Sequence, residues 1–277
     1  MENKVYFAEN LQILKELPNE SIDLIYIDPP FNTGKVQSRK RIKTVQDQSG
    51  DRLGFAGRTY RSELLSQQAY SDSFEDYLAF LKPRLQEAWR LLKCTGSLYF
   101  HIDYREVHYC KVLLDQIFGR DNFLNEIIWA YDYGGRAKDR WPAKHDDILF
   151  YVKNRGSHLF NRDAIERIPY MAPALVSKEK AARGKLPTDT WWHTIVATNG
   201  KEKTGYPTQK PLPILERILS ASTQEGDLVL DFFAGSGTTG AACLKMNRRF
   251  ILIDQNPQAI QVMKTRFGSE TVLFIER

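Results

Sequence analysis

Apolar residues recur along this chain in two patterns, short continuous runs and repeats with helical spacing. The runs predict buried strands, and the repeats predict amphipathic helices. The predicted strands cover 5–7, 21–27, 97–101, 126–131, 148–153, 228–231, 250–254 and 272–275. The predicted helices cover 10–17, 74–92, 107–118, 212–222, 237–246 and 257–267. This alternation predicts an α/β fold with a doubly wound, mostly parallel sheet.

The helix predicted at 74–92 carries local signals of its own. Ser73 and Asp76 resemble a capping box at its start. Pro83 lies inside the apolar repeat and predicts a kink, and Gly96 is the expected stop before the next strand.

Two segments break the pattern. Residues 33–72 are rich in Lys and Arg and show little apolar periodicity, which predicts a long loop. Residues 154–206 are rich in Lys, Arg, Gly and Pro. We therefore expect a single domain over 1–277 that contains a basic loop at 35–70 and an irregular segment at 153–206.

Composition limits the class of protein. The chain has 277 residues, 42% of them hydrophobic, which is enough for a sizeable core. Its net charge of +5 favours a polyanionic partner. Cys94, Cys110 and Cys243 show no metal or disulfide spacing, and no apolar run approaches 18 residues. These features predict a soluble, intracellular protein with no metal and no membrane partner.

A glycine-rich turn follows the strand at 228–231. Residues 235–240 fit the pattern GxGxxG, and Asp254 ends the next predicted strand, where it would accept hydrogen bonds from ribose hydroxyls. NAD and S-adenosylmethionine both fit this arrangement, and a turn that only packs a helix on a strand is the simpler alternative. Asp231 favours S-adenosylmethionine, because a carboxylate attracts the ammonium of its methionine part and repels a pyrophosphate. An NAD-dependent oxidoreductase is the remote alternative.

The second motif, Asp28, Pro29, Pro30 and Phe31, follows the strand at 21–27. The prolines fix the backbone and remove two amide donors, which leaves carbonyl groups free to accept hydrogen bonds. The Asp28 carboxylate and the Pro29 carbonyl could both accept from one exocyclic amino group, while Phe31 offers a face for stacking a planar base. The alternative is a strand end followed by an ordinary turn.

Together these motifs resemble the β class of DNA amino-methyltransferases, in which the catalytic motif precedes the cofactor motif. The similarity continues at 28–34, 96–101, 144–151, 206–211 and 231–239, and it omits 35–70 and 155–190. It implies a circularly permuted fold of the class I S-adenosylmethionine-dependent methyltransferase type. It also implies a base that is flipped out of double-stranded DNA.

The resemblance implies a role for each matching residue. Asp28, Pro29, Pro30 and Phe31 would be catalytic, and Glu9 or Asn10 would hold the cofactor's adenine amino group, although Ala8-Glu9 stands where the family often has Gly-Asp. The remaining cofactor residues would be Asp28 itself, in addition to its catalytic role, and Thr208, Lys210, Asp231, Phe232, Ala234, Gly235, Gly237, Thr238 and Asp254.

Asp28 also bears on the modified base. The family's adenine-N6 enzymes usually carry Asp at this position, whereas cytosine-N4 enzymes more often carry Ser or Thr. The sequence therefore favours N6 of adenine, with N4 of cytosine as the alternative. An intact Asp28-Pro29-Pro30 argues against a non-catalytic nucleic-acid-binding module, and no Cys follows a Pro as the covalent route to cytosine C5 requires.

DNA contacts are expected in the two irregular segments. Arg39, Lys40 and Arg41 lie in the basic loop, and Arg183 lies in 153–206, the candidate target-recognition segment. A solvated charged surface explains each of them equally well. Trp191, Trp192 and His145 are expected to be structural. The chain is too short to include a restriction domain, so any endonuclease would be a separate protein, and a homodimer in the cytoplasm, associated with the nucleoid, is a further expectation.

Overall fold

The computed structural model describes residues 2–32, 76–135, 137–197, 200–268 and 270–277, and the backbone of 35–46, 52–53 and 59–72. The strands are β1 Asn3–Phe7, β2 Ile22–Ile27, β3 Lys35–Gln46, β4 Arg52–Leu53, β5 Thr59–Asp72, β6 Leu92–Ile102, β7 Phe123–Ala130, β8 His145–Val152, β9 Thr190–Trp192, β10 Leu228–Asp231, β11 Arg249–Asp254 and β12 Val272–Glu276. The helices are α1 Asn10–Glu16, α2 Tyr77–Leu91, α3 Val107–Phe118, α4 Lys178–Arg183, α5 Leu212–Ser222, α6 Thr238–Lys245 and α7 Pro257–Phe267.

The chain falls into two compact units. The main unit consists of Met1–Pro29 and Leu78–Arg277, and the second unit is Pro30–Tyr77. Each has its own sheet.

The sheet of the main unit has nine strands in the order β12-β1-β11-β10-β2-β6-β8-β7-β9. Its pairs are parallel except those that β8 makes with β6 and β7. The predicted doubly wound, mostly parallel sheet is therefore confirmed.

The core of the main unit follows from the apolar spacing of its elements. Helix α5 buries Ile214, Leu215, Ile218 and Leu219 on one stripe, and these side chains belong to a cluster shared with strands β2, β6, β7 and β10. A stripe at this spacing covers a sheet face, which explains why the bounds predicted for α5 agree with those observed. Within the part of the chain that the structure describes, no helix is long and apolar enough to cross a membrane.

The second unit differs from the loop predicted at 35–70. Strand β3 pairs with β5 in a long antiparallel ladder, from Lys35 opposite Asp72 to Gln46 opposite Tyr60, and β4 extends the sheet. Backbone hydrogen bonds form such a ladder whatever the side chains are. Hydrophobic alternation marks only strands that bury one face, so these polar strands gave no signal. The role of this segment, and the single domain expected over 1–277, stay predictions.

Strand β6 also begins earlier than expected. It follows α2 directly, and Leu92 pairs with Ile22 before the register shifts. Gly96 therefore lies inside the strand instead of ending the helix. A Cβ atom at Gly96 would lie 3.1 Å from the backbone oxygen of Asp23, which gives the glycine a packing role. Ser73 lies outside the described residues, and α2 continues through Pro83.

Candidate active site

Three aspartates lie at one edge of the main sheet. Asp254 ends β11, Asp231 ends β10, and Asp28 follows the last residue of β2. Because β10 pairs in parallel with both β11 and β2, the three carboxyl groups meet at the same edge. From β10 the chain continues to β11, the neighbour of β10 on the side away from β2. From β2 it continues to β6, the neighbour of β2 on the side away from β10. Strand order reverses between them, where open α/β sheets form their ligand crevice.

Among the residues that the structure describes, only one carboxylate oxygen of Asp28 has a hydrogen-bond partner. Its Oδ2 accepts a hydrogen bond from the Lys210 ammonium at 2.5 Å, and both side chains are largely buried. Its Oδ1 is also buried, yet it has no hydrogen-bond partner among the described residues. A buried carboxylate oxygen without a donor is costly, so this atom is suited to accept from a ligand.

Asp231 has neutral partners instead. Its Oδ2 accepts from the Thr239 hydroxyl at 2.6 Å, and its Oδ1 accepts from the Phe233 backbone N–H at 3.0 Å. Burial raises the pKa of this carboxyl to about 7, and the nearby charges of Asp28 and Asp254 add to the shift. A cation placed beside Asp231 would favour its ionised form.

Asp254 holds the glycine turn. Its Oδ2 accepts from the backbone N–H of Gly235 and its Oδ1 from that of Asn256, both at 2.8 Å. Gly237 has φ +71°, and a Cβ atom there would lie 2.7 Å from Met263 Cγ. Gly237 is therefore required by the packing of α6 against α7, a reason that the sequence motif does not reveal.

The two residues expected at the cofactor's adenine are both engaged within the chain. Glu9 caps α1 by accepting from the Gln12 backbone N–H, and it forms an ion pair with Arg84. Asn10 accepts from Arg84 Nε at 2.7 Å and donates to the Phe232 carbonyl at 2.8 Å. The structure brings Asn10 to the loop after β10, and the adenine contact itself stays a prediction. Arg84 was missed because nothing in its own helix indicates these distant partners.

The 206–211 segment reaches the same edge of the sheet. The backbone oxygen of Lys210 accepts from the Thr238 hydroxyl at 3.2 Å, and Thr208 has φ +57°. The side chain of Lys210 contacts Asp28, whereas the resemblance implied a cofactor contact. Phe232 and Ala234 are buried beside the glycine turn.

A buried polar network lies behind Asp28 and was not predicted. Tyr26 Oη is 2.8 Å from His101 Nδ1, and His101 Nε2 is 3.2 Å from Asp146 Oδ2. Tyr131 donates to the other oxygen of Asp146 at 3.0 Å. The only sequence signal was a histidine at the end of an apolar strand. His145, the histidine that the sequence drew attention to, is partly exposed and 4.0 Å from Asp147.

The remaining predicted residues are more dispersed. Pro29 is buried in the main unit, whereas Pro30 and Phe31 belong to the second unit, where the Tyr77 hydroxyl donates to the Pro30 carbonyl at 2.6 Å.

Arg183, one of the predicted DNA-binding residues, is exposed at the end of α4. The side chains of Arg39, Lys40 and Arg41 lie outside the described residues.

The tryptophan pair divides between core and surface. Trp191 is buried, as expected, and its indole N–H donates to the Thr188 carbonyl. Trp192 was expected in the core as well, but 77% of it is exposed. Successive residues of a strand point to opposite faces, so only one tryptophan of the pair can face the core.

Comparison with known proteins gives the family. The N6_N4_Mtase family model, described as DNA methylase, matches residues 22–265. The chain belongs to this family. Among curated members, the type II methyltransferase M.HpaI of Haemophilus parainfluenzae is 33% identical over 270 residues, covering 98% of this chain and 76% of M.HpaI. The DNA adenine methyltransferase YhdJ of Escherichia coli (strain K12) is 32% identical over 266 residues, covering 93% of this chain and 80% of YhdJ.

Solved structures share the fold of this DNA methylase family member. The complex of M1.HpyAVI with SAM has a TM-score of 0.62 at 23% identity, covering 96% of this chain and 98% of that one. The PvuII DNA methyltransferase, which is cytosine-N4-specific, has a TM-score of 0.63 at 17% identity, covering 98% and 88%. The predicted family and the methyltransferase fold are both confirmed. The roles of individual residues stay predictions.

Proposed function

We propose that this DNA methylase family member transfers a methyl group from S-adenosylmethionine to the N6 amine of adenine in double-stranded DNA. The observation that carries the proposal is the buried Oδ1 of Asp28, which has no hydrogen-bond partner among the described residues. It lies at the sheet edge where strand order reverses, beside the carboxylate of Asp231 on the adjacent strand.

Asp28 acts on the acceptor amine. The lone pair of an exocyclic amine is delocalised into the base, which makes the nitrogen a poor nucleophile. Asp28 Oδ1 accepts a hydrogen bond from one N–H, the Pro29 carbonyl accepts from the other, and the nitrogen becomes more tetrahedral. The proton that the nitrogen releases on methylation passes to Asp28 Oδ1. Positioning and electrostatics supply the rate enhancement.

Lys210 positions Asp28 in this scheme. Its ammonium holds Oδ2 at 2.5 Å and balances a negative charge that lies near Asp231. With one oxygen held, the other is presented in a fixed direction. We therefore assign Lys210 to the acceptor side of the site instead of to the cofactor.

The opposite side of the edge fits S-adenosylmethionine, which when bound supplies an electrophilic methyl group. Asp231 is a buried carboxyl group without a cation among its described contacts, and an ammonium group would satisfy its charge. Asp254 would accept from ribose hydroxyls while it holds Gly235. Glu9 or Asn10 would contact the adenine amino group, with Thr208, Phe232, Ala234, Gly237 and Thr238 around them.

DNA recognition is proposed for the two segments that interrupt the α/β alternation. Strand β3 carries Arg39, Lys40 and Arg41, and Arg183 belongs to the 153–206 segment. Cations that contact phosphates release counterions, so binding should weaken steeply with salt. Neutralising Arg39, Lys40 and Arg41 together should flatten the dependence of affinity on salt concentration, and an unchanged slope would remove this segment from the DNA interface.

The decisive experiment is incubation of the protein with unmethylated genomic DNA and isotopically labelled S-adenosylmethionine, followed by nucleoside mass spectrometry. N6-methyladenine is the expected product, and it should be absent with the Asp28→Ala variant. Label found only in N4-methylcytosine would overturn the choice of base and leave the mechanism standing. Label in neither nucleoside would overturn the proposed activity.

A further inference from the structure

We propose that three exposed aromatic residues, Tyr133, Trp141 and Trp192, form a DNA-contacting surface beside the active site, with Trp141 filling the space left by the flipped base. The inference rests on the proposed function. None of the three residues was predicted from the sequence to contact DNA. We call the three residues the aromatic surface.

The fold places the aromatic surface at the catalytic edge of the main sheet. The register runs from Ile27 of β2 to Phe100 of β6 and on to Leu149 of β8, so β8 starts at the edge where β2 ends. Ala130, the last residue of β7, pairs with His145, the first residue of β8. The connection 131–144, which carries Tyr133 and Trp141, therefore leaves and re-enters the sheet at the edge that carries Asp28.

Trp192 reaches the same edge from the neighbouring strand. It ends β9 and pairs in parallel with Ala130. The backbone continues this pairing, since the His193 N–H donates to the Ala130 carbonyl at 3.1 Å and the His193 carbonyl accepts from the Trp129 indole at 2.7 Å. Buried Trp129 thus fixes the backbone next to exposed Trp192.

The 131–144 connection is held by its own hydrogen bonds. The Tyr131 N–H donates to the Lys144 carbonyl at 2.9 Å. The Lys144 ammonium donates to three successive carbonyl oxygens, those of Tyr133, Gly134 and Gly135, at 2.7, 2.8 and 3.1 Å. The backbone is therefore restrained near Tyr133, so the exposure of the Tyr133 ring is not explained by an untethered loop.

Exposure and charge point to nucleic acid as the partner. Trp141 is 94% exposed, Trp192 77% and Tyr133 60%, and exposed apolar side chains that are grouped at one edge, unlike single scattered ones, mark an interaction site. Lys138 and Arg140 lie close to Trp141 along the chain and are exposed too, and Asp139 between them pairs with Arg140 at 3.4 Å and leaves an excess of positive charge. Aromatic rings stack on bases and neighbouring cations contact phosphates, whereas the S-adenosylmethionine site needs neither.

In the proposed reaction Trp141 would replace the stacking of the flipped base. A base that leaves the duplex breaks its stacking with both neighbours, and an apolar side chain inserted at the step offsets that loss. Of the three rings, Trp141 is the most exposed, and the exposed cation Arg140 directly precedes it. Tyr133 and Trp192 would then contact the adjoining nucleotides.

The test compares Trp141→Ala with wild type on two duplexes. The first is a duplex that the wild-type protein methylates, and the second is identical but has an abasic site opposite the target base. Loss of stacking should lower kcat/KM by about 5- to 150-fold on the paired duplex. The loss should be clearly smaller on the abasic duplex, because the target base there has no pairing partner and leaves the duplex at a lower cost. Trp141→Phe should retain most activity.

Trp89→Ala is the matched control. Trp89 is also a partly exposed tryptophan, but it lies near the end of α2, at the opposite edge of the sheet from Asp28. This variant should match wild type on both duplexes. Equal activity of Trp141→Ala and wild type on the paired duplex, or an equal loss on both duplexes, would overturn the proposal. So would a change in oligomeric state, measured by sedimentation, because it would assign the aromatic surface to a second copy of the chain. If the wild-type protein methylates no DNA, the proposed function fails instead.

Discussion

Asp28 and Asp231 follow neighbouring parallel strands, yet their surroundings are opposite. Asp28 has a cation on one oxygen and no described partner on the other. Asp231 has a neutral donor on each oxygen and no described cation. Burial raises the pKa of Asp231 to about 7. In the proposed function the first carboxylate would accept from a neutral amine and the second would bind a cation, so the same residue type would take two roles that its neighbours determine.

The strongest test of this contrast removes Asp28. Asp28→Ala should lower methyl transfer by at least roughly 100- to 1,000-fold, the scale of losing one preorganised hydrogen-bonding group. Affinity for S-adenosylmethionine should stay close to wild type, because Asp28 serves the acceptor. Quench-flow measurement of methyl transfer and calorimetry separate the two effects. Near-normal turnover would remove Asp28 from the chemistry.

Asp231→Asn should show the reverse pattern. Losing a charge-assisted contact should weaken S-adenosylmethionine binding by about 1.5–3 kcal/mol, measured by calorimetry at pH 8. In the wild-type protein the affinity should rise as the pH increases through about 7, because the ionised carboxyl binds the ammonium. The variant should lack this dependence, and an equally pH-dependent variant would contradict the assignment.

The pH dependence of folding stability is a second test of the raised pKa of Asp231. Its folded-state pKa lies above its unfolded-state value, so the stabilising contribution of the neutral form is complete only below about pH 4 and is lost progressively as the pH rises to about 7. The melting temperature of the unliganded protein should therefore fall more between pH 5 and 8 than that of Asp231→Asn.

Asp254→Ala should weaken S-adenosylmethionine binding by about 1–3 kcal/mol. The Gly235 and Asn256 N–H groups also lose their acceptor. Unchanged affinity by calorimetry would place the ribose contact elsewhere. Asp115, which lies on α3 and pairs with Lys111, is a matched control whose change to Ala should not affect binding.

Lys210→Met should have the smallest effect, a decrease in kcat of roughly tenfold, because the ion pair positions Asp28 without contacting the substrate. Lys210→Arg should restore part of the loss, since it keeps the charge. The affinity for S-adenosylmethionine distinguishes the two roles for Lys210. A large loss of affinity in Lys210→Met would return it to the cofactor site predicted from the sequence.

The acidic residues of the site could be found from the sequence because of where they lie. Asp28, Asp231 and Asp254 each follow or end an apolar run, and parallel strands bring such ends to one edge. The helices α3, α5 and α7 were equally visible, because each buries a regular apolar stripe.

The partners of these acids could not be found in the same way. Lys210 and Asp28 are 182 positions apart, and His101 and Tyr26 are 75 apart. No local pattern encodes such a pairing, which depends on the register of strands and on where the loops return. The polar strands β3 and β5 were missed for a related reason, since periodicity detects burial and not backbone pairing.

The position of β1 has a consequence for synthesis. Strand β1 lies between β11 and β12, so both of its partners are synthesised long after it. At about 5–20 residues per second, the ribosome needs roughly 12 to 50 seconds after β1 before β11 is complete. Until then the first strand has two unpaired edges, and the half of the sheet that carries Asp254 cannot assemble. The proposed cofactor side of the site would therefore form after the strands around Asp28, and a nascent chain would bind S-adenosylmethionine only once β11 has been made.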